Sequence, residues 1–333
     1  MPAQSKDTPL IICLGELLVD MFPAELGRRL ADVSAFQPNP GGAPANAAVA
    51  IAKLGYHSAF VGKVGDDAFG HHLYKVIKEQ GVDVSGMRFD SYARTTLAFI
   101  AKPDENSAEY VFYRNPGADL MLKADELDRE FFSQVKALHF GSVSLVDEPL
   151  LSTVKEAVHL ARKVNALISF DVNHRPSLWN SEEKALERIW EMVPQANLLK
   201  VNEHELRLLC GMDDIDDTNP VEACLNLLKH GPELIVVTLG ERGSFFCTQE
   251  AHAYMPPFKV TTVDAVGCGD AFIAGILTRL VRAADWRTRL TKEALLEDFR
   301  YANAVGALTA TKQGVIPSLP TAEQVEQFLK DHA

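Results

Sequence analysis

From about residue 135 the sequence alternates short, mainly apolar runs with longer stretches of helical spacing. The apolar runs fall at 138–141, 167–171, 198–201 and 234–238, and helical patterns alternate with most of them at 148–165, 181–194, 203–210 and 220–230. A strand whose residues are all apolar must be covered on both faces, and the intervening helices supply that cover. The alternation therefore predicts a doubly wound, mostly parallel α/β sheet with helices on both faces. The run at 10–14 fits the same sheet, and 269–282, 293–311 and 321–332 read as further helices.

Two segments obey a different period. In 95–101 and 109–114, Leu97, Phe99, Val111 and Tyr113 alternate with other residues, as in half-exposed strands, and the turn-like 103–107 joins them as a hairpin. Together with 16–40, the region 93–115 is expected to form a small β lid inserted in a single α/β unit over 1–333. Ligands in such sheets gather beyond the carboxyl ends of the strands. Asp20, Asp171, Lys200 and Thr238 stand at or just past predicted strand ends, which makes them pocket candidates.

Charge and cysteine content narrow the partners. The 333 residues carry a net charge of −12, which argues against nucleic acid and against an anionic membrane surface. Five cysteines without a CxxC pair read as reduced thiols of a cytoplasmic protein. The first residues are polar, and no apolar run is long enough to span a bilayer.

Two glycine turns carry the chemistry. Val266-Gly267-Cys268-Gly269-Asp270 leads directly into the apolar run 271–277. The first N–H groups of such a helix have no partner within it, and the dipole places positive charge there, so a phosphate is a natural ligand. Asp270 in the first turn has two readings: a stabilising helix-start carboxylate, or a base for a hydroxyl attacking a phosphate. The second turn, Gly41-Gly42-Ala43-Pro44-Ala45-Asn46, opens a helix to about residue 54 that is apolar nearly all round. Asn46 is its polar exception, suited to a structural hydrogen bond or to a sugar hydroxyl. No GxxxxGK[ST] loop is present, so phosphate must be held another way.

These two turns resemble the two signatures of the ribokinase-like (PfkB) carbohydrate kinases. The first continues through Gly62-Lys63-Val64-Gly65-Asp66-Asp67 and Phe69-Gly70. The motifs at 171–175, 200–205 and 238–243 also have counterparts, in the family's order and spacing. Within the family the chain is most similar to the fructokinase branch, through Gly15-Glu16, Ala93-Arg94-Thr95, 112–116, Phe140-Gly141-Ser142 and Ala302-Asn303-Ala304. Two residues depart from the usual pattern: Ala265 stands in place of threonine and Cys268 in place of alanine.

The resemblance implies a sugar kinase using ATP and Mg2+, possible use of K+, and a homodimer through the lid. Asp270 would be the base, with the amides of Gly267, Cys268 and Gly269 as an anion hole. Asp20, Gly41, Gly42 and Asn46 would hold the sugar, with Phe99, Phe112 and Arg114 on the lid and Arg175 near substrate or phosphate. Lys200, Asn202, Glu205, Thr238, Gly240, Gly243 and Asn303 would serve the nucleotide and its magnesium. Asp264, Val266, Thr309, Lys312, Gly314 and Ser318 would frame a monovalent-cation site. Fructose is the substrate this implies. The alternatives are 2-keto-3-deoxygluconate, for which Arg114 and Arg175 could supply cations, a nucleoside, or an inactive sugar-binding relative.

Overall fold

A computed structural model describes residues 9–25, 27–101, 103, 109–211 and 220–332. Among these, thirteen strands form two sheets. The larger holds β1 (Leu10–Leu14), β4 (His57–Gly65), β5 (Met87–Asp90), β8 (Val135–Gly141), β9 (Leu167–Asp171), β10 (Leu198–Asn202), β11 (Leu234–Thr238), β12 (Ser244–Cys247) and β13 (His252–Met255). Their spatial order is β13-β12-β11-β10-β9-β8-β1-β4-β5. Every pairing from β11 to β5 is parallel, and β12 and β13 add an antiparallel edge.

The pleat explains the double cover. Ile11 and Cys13 of β1 pack into one apolar cluster, and Leu10, Ile12 and Leu14 pack into another. Each cluster has its own helices. Helices Ala43–Lys53, Cys268–Leu280 and Lys292–Thr309 close the first face, and Leu150–Lys163, Glu182–Met192, Glu203–Cys210 and Val221–Leu228 close the second. This is the doubly wound arrangement expected from the repeat.

The smaller sheet has the order β3-β2-β6-β7, from β2 (Leu18–Pro23), β3 (Phe36–Gly41), β6 (Leu97–Ala101) and β7 (Glu109–Tyr113). β6 and β7 pair antiparallel as expected. The turn predicted at 103–107 lies, apart from Pro103, outside the described residues. The lid grows from the carboxyl end of β1 and from the loops after β5 and β7, on the side where the parallel strands end. Its strands therefore stand over the place where a ligand of this sheet would sit.

Candidate active site

The Cys268–Leu280 helix begins at Gly267, which adopts φ +80°. A side chain there would be strained by that backbone and would also meet Val315, 2.3 Å from the position of a Cβ. No side chain caps this helix. Cys268 N–H turns to the Ala265 carbonyl at 3.3 Å, while among the described residues the N–H groups of Gly269 and Asp270 have no acceptor. Gly267 N–H likewise has no acceptor among the described residues, so of the amides expected to face an anion at 267–269 only that of Cys268 is taken, and Asp270 adds another open one. Burial, with Asp264 and Asp270 nearby, pushes the Cys268 thiol up to about 12, so it stays neutral beside an incoming anion.

Asp270 meets the other glycine turn. Its Oδ2 accepts a 2.8 Å hydrogen bond from Asn46 Nδ2, across 224 residues of sequence. Asn46 itself is buried, and its Oδ1 has no partner among the described residues, leaving a free acceptor at the same point. Burial raises the Asp270 carboxyl to about 6, with the Asp171 charge adding to the rise; the Asn46 bond, Lys200 and Arg175 restrain it. Asp20 is raised to about 7 by burial and by Asp270, against the pull of Arg175. The Asp20 carboxylate lies against Gly41, where a Cβ would stand 2.0 Å from Oδ2. Gly42 has φ +106°, and its Cα passes so close to the Glu16 carbonyl that a Cβ would come within 2.3 Å. Asp20, Gly41, Gly42, Asn46 and Asp270 therefore converge, as expected.

β9 and β10 supply the charged floor. Lys200 donates to Asp171 Oδ2 at 2.8 Å, both side chains are buried, and Asp171 Oδ1 is left without a partner among the described residues. Lys200 Nζ also lies 3.5 Å from where a Cβ of Gly269 would stand, which places the ammonium under the open amides. Burial would lower the Lys200 pKa, but Asp171, Glu205 and Asp270 outweigh it and hold the ammonium above its usual range. Asn202 caps the Glu203–Cys210 helix, and Glu205 answers in a capping box. Both Glu205 oxygens are taken, by His174 N–H and Asn202 N–H at 2.8 Å each, so this carboxylate braces two strand-end loops. Arg175 is exposed, and its charge acts on both Asp20 and Asp270. Thr238, Gly240 and Gly243 form the turn after β11.

Three side chains stand differently from expectation. In the lid register Asp20 pairs with Ala98, and Ala98 with Phe112, so Asp20 and Phe112 share a face. Phe99 pairs with Met21 and Val111 and so belongs to the opposite face, where it packs on Phe36 and Tyr113 at 5.0 and 5.3 Å. The period of two that brings Phe112 to the site removes Phe99 from it. Arg114 does not face substrate either: its guanidinium is buried in a bidentate pair with Asp119, at 2.7 and 2.5 Å. Asn303 is spent inside the protein, accepting from Ser244 and donating to the Met255 and Pro256 carbonyls.

At the expected cation site, the Asp264 carboxylate accepts N–H bonds from Val266 at 3.2 Å and Gly314 at 3.4 Å. Thr309 and Ser318 donate their hydroxyl hydrogens to Val305 and Val315, and Lys312 is exposed.

The model of the pfkB family carbohydrate kinases matches residues 8–322. The chain belongs to that family. This carbohydrate kinase is 43% identical over 331 residues to the probable fructokinase-4 of Arabidopsis thaliana, covering 99% of each chain. Its fold matches the fructokinase of Xylella fastidiosa solved with bound ATP at a TM-score of 0.88 and 32% identity, covering 97% of this chain and 98% of the other. A double-mutant fructokinase from Vibrio cholerae, solved with fructose, ADP and a potassium ion, matches at 0.84 and 29% identity over 98% and 99%.

Two parts of the carbohydrate kinase's site carried no assigned role in the sequence. Glu16 is 4% exposed, raised to about 7 by burial, and bonded through Oε1 to Ala43 N–H at 3.0 Å. Ser142 and Ser144 are buried just after β8 with unpartnered hydroxyls among the described residues. The available signal was position: a lone charge, or serines, directly beyond an apolar strand.

Proposed function

We infer that this chain transfers the γ-phosphoryl group of ATP to D-fructose, giving fructose 6-phosphate and ADP. The observation that carries this reading is the Asn46–Asp270 bond beside two unpartnered helix-start amides, which sets a base and an anion hole at one point. Asp20 and Asn46 hold the sugar hydroxyls. Asp270, ionised at neutral pH yet more basic than an ordinary aspartate, takes the proton of the attacking hydroxyl. The Gly269 and Asp270 amides, with Lys200 beneath them, stabilise the negative charge on the transferring group. The lid keeps water from competing for the phosphoryl. The fructokinase names and structures among its relatives support fructose as acceptor.

The residues present suit a magnesium-bound triphosphate. Asp171, Glu205 and Asp270 crowd the phosphate position with negative charge, which a nucleotide carrying its own divalent cation would offset. Among the described residues no group of three His, Cys, Asp or Glu side chains converges on a metal, so Mg2+ would rest mainly on phosphate oxygens, with Asn202 and Glu205 reaching it through water. It would supply charge neutralisation and orientation of the phosphates. A potassium ion suits the loop around Asp264, where Thr309 and Ser318 keep their oxygen lone pairs free.

Among the described residues no helix is long and apolar enough to cross a membrane; the cytoplasmic placement we propose rests on five cysteines without a CxxC pair. Val111 and Tyr113, 44% and 65% exposed on the lid face away from Asp20, suit a homodimer through the lids. With Arg114 neutralised by Asp119, the acid sugar 2-keto-3-deoxygluconate loses one of the two cations, Arg114 and Arg175, that could have served it. The deciding experiment is an ATP-coupled assay across fructose, glucose, ribose, 2-keto-3-deoxygluconate and adenosine. Fructose is expected to give the highest kcat/KM; preference for another acceptor overturns the substrate, and no ATP consumption with any of them overturns the kinase.

A further inference from the structure

The motif at 62–70 and the buried Arg114 touch no reacting atom, yet they meet at the root of the lid. Asp67 caps the Ala68–Glu79 helix and also reaches across to the chain entering β6. Its carboxylate accepts Thr95 N–H at 2.9 Å and the Thr95 hydroxyl at 2.8 Å, and that hydroxyl oxygen accepts Gly65 N–H at 3.0 Å. Burial opposes it, but these donors and Gly70 N–H hold the Asp67 carboxyl below its usual range. The next residue, Thr96, accepts Val19 N–H of β2 on its carbonyl and donates its hydroxyl to Asp119 Oδ1 at 2.5 Å. Asp119 in turn holds Arg114, where β7 leaves the lid, and Arg114 also donates to the Val143 carbonyl beyond β8 at 3.3 Å. The Arg114 charge acts on Glu16 at the root of β2, and Glu16 binds the N–H of Ala43, where β3 turns into the Asn46 helix. Hydrogen bonds thus tie the entry of β6 and the exit of β7 to each other and to β2, a second bond ties Glu16 to the exit of β3, and the Arg114 charge reaches from the first set to the second.

The arrangement is poor as a device for stability alone. Buried ion pairs contribute little net stability, and apolar replacements of similar volume often do as well. Asp119, Glu16 and Arg114 are 1%, 4% and 7% exposed, and Glu16 Oε2 has no partner among the described residues. What such a cluster does supply is fixed geometry between groups that must act together. Here those groups are Asp20 on the lid and Gly42 and Asn46 on the turn that Glu16 fastens.

We propose that Asp67, Glu16, Arg114 and Asp119 are positioning residues that lock the lid root to the Gly42–Asn46 turn, so that Arg114 governs sugar phosphorylation by placing the lid instead of touching the substrate. The proposal rests on the kinase reading above. It assigns the 62–70 motif a purpose in sugar positioning, separate from phosphate binding. Misplacing a positioned group by about 1 Å can cost on the order of a hundredfold in rate.

The test compares wild type with Glu16→Ala, Glu16→Gln and Asp119→Asn, measuring KM for fructose, KM for ATP and the ATP hydrolysed per fructose phosphorylated. Glu16→Ala and Asp119→Asn should raise the fructose KM on the order of tenfold or more, leave the ATP KM within about twofold, and release ATP hydrolysis from sugar phosphorylation. Glu16→Gln keeps an acceptor for Ala43 N–H and should recover most of the fructose KM. Should Asp119→Asn fail to fold with Arg114 unpaired, Arg114→Met combined with Asp119→Leu removes both charges and should show the same split. Folded variants with an unchanged fructose KM and unchanged coupling overturn the proposal, as does an equal rise in both KM values that follows the loss in Tm. Wild type that phosphorylates no sugar overturns the kinase reading, and the positioning role falls with it; wild type that phosphorylates fructose while the variants match it overturns the positioning role alone.

Discussion

The two glycine turns that face each other across the pocket begin helices of similar length and apolarity, yet use their first N–H groups in opposite ways. In the Ala43–Lys53 helix, Ala43 N–H is bound by Glu16, Pro44 has no N–H, and Asn46 N–H closes on the Gly42 carbonyl. Among the described residues only the Ala45 N–H of that first turn lacks an acceptor, so the end has little left for an anion. In the Cys268–Leu280 helix no side chain caps the end, and Gly269 and Asp270 keep free donors. On the function proposed above, the same motif chemistry would serve as a wall for a neutral sugar on one side and as a socket for phosphate on the other. The difference lies in Pro44, which has no N–H where Gly269 keeps one, and in Glu16, a side-chain cap that the second turn lacks.

If that division holds, damage to the second turn should fall on turnover and damage to the first on sugar affinity. The largest effect is expected from Asp270→Asn, with kcat lowered by about 10²–10⁴ while sugar binding persists in a direct titration. Near-normal turnover would remove Asp270 as the base. Gly267→Ala should come next: the strained φ and the contact with Val315 displace the open amides, lowering kcat on the order of a hundredfold with the fructose KM little changed. Gly42→Ala should do the reverse, raising the fructose KM on the order of tenfold with a smaller loss in kcat. Equal effects of the two alanines on kcat and KM would break the comparison.

A pH profile sharpens it. Asp270 at about 6 and Asp20 at about 7 are raised mainly by burial and act on each other, so kcat/KM should rise from pH 5 to pH 8 with apparent values belonging to the pair. In Asp270→Asn the limb near 6 should vanish from whatever activity remains. The smallest effect concerns stability. Because the folded-state pKa of Asp270 lies above the ordinary aspartate value, its ionisation opposes folding: the neutral carboxyl carries no such penalty below about pH 4, and the penalty grows as pH rises through about 6. Asp270→Asn should therefore melt higher than wild type at pH 8 without ligand, with the gap closing below about pH 4.

Much of this was legible in the residues themselves. The runs at 10–14, 167–171 and 234–238 coincide with strands because strands covered on both faces are mainly apolar on both, with Asp171 and Thr238 standing at their carboxyl ends. β4 announced itself less clearly: it buries Ser58, bonded to the Ala48 carbonyl, and Lys63, paired with Glu126 at 2.7 Å. A buried strand that carries its own polar partners looks like a surface one until those partners are seen. Asn46 and Asp270 could be named from their motifs, but nothing in either motif says that they bond to each other. Arg114 and Phe99 were misplaced for different reasons. Lid residues were assigned to the site by segment, whereas the pleat sends neighbours to opposite faces, and a cation's partner five residues on, Asp119, lies in a short turn with no helical or strand period to reveal it.

The bond from Asn46 to Asp270 spans two-thirds of the polypeptide, since 224 positions separate its ends. During synthesis the Asn46 helix is made long before the Cys268–Leu280 helix, which carries the base and packs beside it in the same apolar cluster. Contacts of such separation form late. An immature chain would therefore lack the base and also the apolar cover of its sugar-side helix, and the pocket would form only once the last third had closed against the first.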